Sequence, residues 1–298
     1  SSSYGPIKDL AAFGDALPLR CQGAASFRGS DGTVVTFAGT ATKLYLWTGS
    51  TWLEVTRLVG GNYTLDAIGG WYFAQFQDFV YACNGIDVMQ QWTIGLSTNF
   101  IAAPGSPPIA KYPVTSNDFL FLLNTTNDNR EVWWSSQFDS EEWIIGTNQG
   151  DAQSFQEGGA LTGGVGGMAD GIVLFQENKI RYGGYVGPDL IWQFREVSTQ
   201  RGCTVPGSIT SFQQTIFFLS NDGFYRLDNA QQMTPIGALR VDRTFYDTVD
   251  QDALHRLRST VDPRRKLLYV AWPTADATPD MLYIYNWETD RWAPADHF

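Results

Sequence analysis

GGVGGMADGIVLFQENKIRYGGYVGPDLIWQF, residues 163–194, is the stretch whose reading decides the fold. It breaks at polar or Gly-containing turns into four runs: GGVGGM (163–168), GIVLF (171–175), KIRYG (179–183) and LIWQF (190–194). Each has strand length, and the second is apolar throughout, as a strand covered on both faces must be. Turns this short join antiparallel neighbours. The unit therefore reads as a four-stranded antiparallel sheet.

The pattern recurs along the chain. Apolar runs like 171–175 stand at TVVTFAG (33–39), FVYAC (79–83), FLFLL (119–123), TIFFL (215–219) and KLLYVAW (266–272). Their spacing is about 46 residues, in the range of repeat architectures. A first strand precedes each one: AASF (24–27), WYFAQF (71–76), KYPV (111–114), GSITSF (207–212) and LRSTV (257–261). A third follows: KLYLW (43–47), VMQQW (88–92), EVWW (131–134), GFYRL (223–227) and MLYIY (281–285). Fourth strands carrying a Trp are read at TWLEV (51–55), EWII (142–145), LIWQF (190–194) and RWAPA (291–295). LYLW-TGST-W (44–52) and YNW-ETDR-W (285–292) each place two Trp around a four-residue loop, which predicts facing Trp pairs.

One such sheet cannot bury both apolar faces alone. Six packed face to face in a closed circle can, so the expectation is all-β: a six-bladed β-propeller of four-stranded antiparallel blades. The blades fall at approximately 21–59, 60–106, 107–146, 159–199, 203–240 and 254–298 of one domain. Gly163, Gly164, Gly166 and Gly167 suit an innermost strand crowded against the axis. A two-sheet sandwich or two β-domains would give similar punctuation. One segment breaks the pattern: VDRTFYDTVDQDALHRLRS (241–259) spaces Val241, Phe245, Val249 and Leu254 helically, with Asp242 placed as a cap. Residues 97–110 and 146–158 read as loops.

Composition bounds the function. The 298 residues include 43 aromatics, too many for a disordered chain, and no apolar run approaches a membrane span. A net charge of −11 argues against wrapping nucleic acid tightly. Three scattered cysteines, Cys21, Cys83 and Cys203, make no disulfide framework or zinc spacing, and fit a reducing cytosol. The chain opens on Ser1–Ser3 without Met or signal peptide, which reads as a processed or excised piece.

Chemistry-bearing motifs are sparse. His255 lies within the expected helix and His297 is penultimate; neither has metal-ligand spacing. GGVGGMA (163–169) is a loose G-x-G-x-x-A that precedes a strand instead of following one, so no dinucleotide site is expected. No phosphate-cradling GxxxxGK[ST] occurs. A sialidase-type box is approached only by SNDGFYRL (220–227), where Ser220 and Asp222 are present but the Gly comes early and no Trp follows; an Asn-Asp-Gly turn explains it better. Glu141 and Glu142 read as a solvated turn, and Asn62-Tyr63-Thr64 and Asn124-Thr125-Thr126 as chance glycosylation matches. Gly60–Gly61 and Gly69–Gly70–Trp71–Tyr72 have kelch-like composition without its register. No catalytic, cofactor or metal residues are assigned.

The chain also resembles a known family. YGPIKDL…TWLEV (4–55) resembles the opening of phage and prophage structural proteins. GMADGIVLFQENKIRYGGY (167–185), RGCTVPGSITSFQQTIFFLSNDGFYRLDNAQQMTPIG (201–237), the helix and the closing LLYVAWP…MLYIYNWETDRW resemble the propeller of tail hub or nozzle proteins of short-tailed bacteriophages. That family is often labelled packaged-DNA stabilisation protein. The resemblance implies a non-enzymatic virion component, made in the bacterial host cytoplasm. It implies a sixfold ring below the portal and its adaptor, continuing the DNA-exit channel and docking tail fibres or spikes. DNA would pass without sequence-specific binding. Family members carry a tube-forming platform beside the propeller, so this chain alone is expected to be monomeric. A propeller recognising host-surface glycan or protein is the alternative, and a sialidase-like hydrolase a third.

Overall fold

The computed structural model describes residues 14–274 and 279–296. It is an all-β ring of six four-stranded antiparallel sheets, with strands in sequence order from first to fourth in every sheet. Blade 1 holds β1 (Gly23–Arg28), β2 (Val34–Gly39), β3 (Leu44–Trp47) and β4 (Trp52–Glu54). Blade 2 holds β5 (Tyr72–Phe76), β6 (Phe79–Cys83), β7 (Gln90–Thr93) and β8 (Ile101–Ala102). Blade 3 holds β9 (Ala110–Ser116), β10 (Phe119–Thr125), β11 (Glu131–Trp134) and β12 (Asp151–Ser154). Blade 4 holds β13 (Leu161–Met168), β14 (Gly171–Gln176), β15 (Ile180–Gly187) and β16 (Ile191–Ser198). Blade 5 holds β17 (Thr210–Phe212), β18 (Thr215–Ser220), β19 (Gly223–Asp228) and β20 (Gln232–Pro235). Blade 6 holds β21 (Arg258–Asp262), β22 (Leu267–Pro273), β23 (Pro279–Asn286) and β24 (Arg291–Asp296).

The apolar second strands explain the packing. Side chains alternate across a strand, so each of these serves two seams. On β10, Leu120 and Leu122 join the cluster shared with blade 2, while Phe119, Phe121 and Leu123 join the one shared with blade 4. On β14, Ile172 and Leu174 face blade 3; Val173 and Phe175 face blade 5. β6 and β18 divide in the same way. Five seams, from blades 1–2 through 5–6, carry such a cluster; among the described residues none joins blade 6 to blade 1.

The first strands lie side by side around the axis. A Cβ on Gly166 would come within 1.8 Å of the Thr115 carbonyl oxygen, so Gly permits this approach. Gly163 and Gly164 are similarly pressed, by Ile209 and Leu123. Gly167 differs. Nothing lies within 4 Å of its would-be Cβ, its φ is +72°, and it occupies a bulge between Gly166 and Met168. Backbone conformation, not crowding, selects Gly there.

Several expectations are corrected. EWII (142–145) is not a strand; Trp143 turns inward to the blade 2–3 cluster and its indole N–H donates to the Ser140 carbonyl. The fourth strand of blade 3 is β12, paired with β11 from Glu131↔Ser154 to Trp134↔Asp151, so the sheet runs past residue 146 into the stretch read as a loop. A two-residue strand, β8, likewise falls inside 97–110. The helix is shorter than 241–259: α1 covers Asp242–Thr248, and Leu254–Arg256 forms a separate 3-10 turn before β21. Asp242 does not cap it. Its carboxylate instead accepts from the Phe224 N–H at 3.1 Å, tying the helix to blade 5. Trp47 opposes Trp52 with ring centroids 5.1 Å apart, as expected. In blade 6 the register differs: Tyr285 opposes Trp292, and Trp287 stands in the turn against Phe212 and Phe217.

Candidate functional site

First strands β5, β9, β13 and β17 enclose a cavity of ≈ 530 Å³. Tyr72, Tyr112, Thr115, Thr162, Thr210 and Ser211 supply its polar side chains, and no charged side chain lines it. Tyr72 and Tyr112 pack edge to face at 4.5 Å, and burial raises both phenol pKa values. They stay protonated and act as neutral hydrogen-bonding groups.

The strand starts share one end of the axis, because Gly23 lies against the Trp71 carbonyl and Gly207 against that of Leu257. At this end the chain entering blade 1 meets the chain entering blade 6. Arg20 donates to the Ala67 carbonyl at 2.6 Å, and Arg258 donates to the carbonyls of His255 and Leu257 at 2.8 Å each. Both guanidiniums are exposed. Partial burial lowers the pKa of Arg20, and repulsion from Arg256 and Arg258 lowers it further. His255 stands in the same group. Burial lowers its pKa first; the Asp252 carbonyl at Nδ1 opposes this, and Arg256, Arg20 and Arg258 reinforce it. Its Nε2 is buried with no hydrogen-bond partner among the described residues. The sequence shows only HRLR (255–258); Arg20 joins it through ring closure, a contact across more than 230 positions that local spacing cannot reveal.

The other candidates have structural roles. Cys83 and Cys203 are buried, and burial pushes the Cys203 thiol up to about 11, which makes it a poor nucleophile. Cys21 is exposed. Asp222 pairs with Arg201 at 2.8 Å and accepts from the Tyr225 hydroxyl, at the tight β18–β19 turn. Glu141 accepts from Gln91 at 3.0 Å, and Glu142 caps its own turn at Ile144 N–H. Tyr63 is buried and the Asn124 amide donates to the Leu161 carbonyl. Residues 163–169 form β13 and its turn, with no helix following. His297 lies outside the described residues. Among the described residues no three His, Cys, Asp or Glu side chains are grouped to hold a metal, and no helix is long and apolar enough to cross a membrane.

No protein-family profile and no curated protein matches the chain. Solved structures do. The computationally designed Ika8 protein is 11% identical with a TM-score of 0.55, over 93% of this chain and 74% of that one. The extracellular domain of the one-component system BT4673 from B. thetaiotaomicron is 12% identical with a TM-score of 0.61, over 95% of this chain but only 34% of its own length. The dihydro-heme d1 dehydrogenase NirN is 8% identical with a TM-score of 0.53, covering 98% and 57%. Identities this low, across such different proteins, show the fold alone.

Proposed function

We propose that the chain is a structural component of a bacteriophage tail, the propeller of a hub or nozzle, that acts by assembly and not by catalysis. The observation that carries this reading is an apolar rim. Leu58, Val59 and Leu96 are 82%, 88% and 82% exposed, and Leu53 and Ile101 are also exposed. They sit on the outer edges of blades 1 and 2, which meet where the Phe100 N–H donates to the Val55 carbonyl at 2.9 Å. Exposed apolar side chains of this size along neighbouring blade edges suit a protein contact surface. The resemblance of 167–292 to tail propellers supplies the partners: a portal adaptor, fibres or spikes, and further copies.

Charge supports the same reading. Six copies would carry about −66, a field that repels phosphates from a passage through which DNA must slide. The cavity inside one propeller has the volume of a small-ligand site, so the duplex would run through the ring of copies. Electron cryo-microscopy of purified virions tests the reading. The expected result is a sixfold ring of propellers below the portal; virions without the chain would overturn it. Leu58→Glu with Val59→Glu is expected to leave the isolated chain folded and block its incorporation.

A binding propeller for host-surface glycan is the second reading, favoured by the half-exposed Trp47–Trp52 pair at the tip of blade 1. A glycan array with Trp52→Ala as control distinguishes it, since only this reading expects Trp52-dependent binding.

A further inference from the structure

The axial cavity of ≈ 530 Å³ falls in the size range of small-molecule sites. Its wall is chemically uniform. Every polar side chain in it is a hydroxyl, with no amide, carboxylate, ammonium or guanidinium among them. The Lys111 ammonium lies 5.6 Å over the Tyr112 ring but is not part of the wall. Gly163, Gly164 and Gly166 line the cavity with main chain alone, and β13 is the first strand of its sheet, so its axial edge has no ladder partner. Thr162 is the extra residue of a bulge, between the pairs Leu161↔Gln176 and Gly163↔Phe175. Its buried Oγ1 has no hydrogen-bond partner among the described residues. The protein alone therefore does not complete the hydrogen bonding of this wall. Phe73, Val114, Val165 and Ile209 stand among the hydroxyls.

We infer that the axial cavity binds a neutral polyhydroxylated ligand, a single pyranose sugar unit. Burying an ionised group needs a counter-charge or several dedicated hydrogen bonds, and this wall offers no charge. A purely apolar ligand would strip water from the hydroxyls and the edge-strand main chain and leave them unpaired. A nucleobase carries fixed donors and acceptors in its plane, which Asn and Gln amides match, and neither residue lines the cavity. A sugar meets both halves of the wall. Each of its hydroxyls donates and accepts, as each wall hydroxyl does, so a pair can form in either sense. The C–H face of its ring packs against side chains such as Phe73 and Val165. Tyr72 and Tyr112, edge to face at 4.5 Å, remain neutral donors because burial raises both phenol pKa values. The site depends neither on the tail assignment nor on the Trp47–Trp52 pair at the tip of blade 1.

The same ring could arrive as a free sugar or as the end of a glycan chain. Isothermal titration of the whole chain with D-glucose, D-galactose, D-mannose, L-rhamnose and N-acetyl-D-glucosamine covers the first source. An array of glycans ending in the same sugars covers the second. Saturable binding of at least one of these neutral sugars, one per chain in the titration, is expected. Glucuronate, glucosamine and adenine should each bind at least tenfold more weakly than the best of them. Tyr72→Phe keeps the ring and removes the hydroxyl, and should weaken binding at least fivefold. Ser211→Tyr fills the cavity and should abolish it, while Trp52→Ala should leave it unchanged. Thermal melts establish which variants fold. No saturable binding from either source, glucuronate, glucosamine or adenine binding as tightly as the best neutral sugar, or parental affinity in folded Tyr72→Phe or Ser211→Tyr would overturn the inference. Loss in Trp52→Ala alone would also overturn it, by moving the binding to the blade tip. None of these outcomes bears on the virion ring, which microscopy decides separately.

Discussion

The Asp242 carboxylate lies against two glycines, Gly223 and Gly237, whose would-be Cβ atoms would collide with it at 2.1 and 1.9 Å. Its place at the head of a helical pattern is readable in sequence. Its partner is not, because Phe224 is eighteen positions upstream in another blade strand. Removing the acceptor leaves a buried N–H unpaired, so Asp242→Ala should cost about 1–3 kcal/mol in chemical denaturation. Asp242→Asn keeps the acceptor and should be neutral or stabilising at pH 7. Burial raises the Asp242 pKa in the fold, partly offset by the Phe224 bond. The folded state therefore holds this proton more tightly than the unfolded chain. The group favours folding below the ordinary carboxylate pKa, and that contribution fades as pH rises through the raised value. The advantage of the Asn variant should grow from pH 4 to pH 7, and a constant difference would contradict the assigned cause. The axial glycines give a second residue-scale test. Gly166→Ala meets backbone and should lose about 1–3 kcal/mol through overpacking, whereas Gly167→Ala meets open space and should lose only the roughly 1 kcal/mol of a left-handed alanine. Equal losses in thermal melts would show that crowding is not what selects Gly166.

Strands whose side chains answer to their own sequence neighbours are legible; those placed by distant contacts are not. All six second strands stand where their apolar runs predict, because packing against neighbouring sheets demands such runs, on both faces in the inner four blades. EWII misleads because Trp143 is apolar for a seam and not for a ladder. Asp151–Ser154, half-buried and polar, offers no periodic signal at all. The facing of Trp47 and Trp52 follows from loop length, but the same loop length in blade 6 ends in a register that pairs Tyr285 with Trp292. Helix α1 is a short element that packing must hold, since seven residues do not sustain a helix alone. Phe245 provides that packing: it is wholly buried, with Phe224 and Trp272 each 5.1 Å from its ring. Phe245→Ala should cost about 3–5 kcal/mol and loosen the blade 5–6 seam, read as a lower melting temperature and a red-shifted Trp272 emission. A loss under 1 kcal/mol would show that α1 is an ornament on the seam.

Across the whole ring, the terminal blades differ from the inner four. β2 places Val35 and Phe37 in the blade 1–2 cluster, but Val34 on its other face is exposed. β22 sends Leu268, Val270 and Trp272 to blade 5, and leaves Leu267, Tyr269 and Ala271 half-buried. Hydrogen exchange should therefore release amides of β1 and β21 well before those of β10 and β14. Uniform protection around the ring would contradict this ranking of seams. The ring was readable from repeat spacing; the arginine cluster was not, because it exists only once the circle is complete.

Among the described residues every sheet is built from four consecutive strands, and no strand is lent from one end to the other. A ribosome releasing roughly 5–20 residues per second would deliver a finished sheet every few seconds, ready to dock on the one before it. Joining the last to the first is then a single late event, and a chain stalled in synthesis would remain an open arc of well-packed sectors with its basic ends apart.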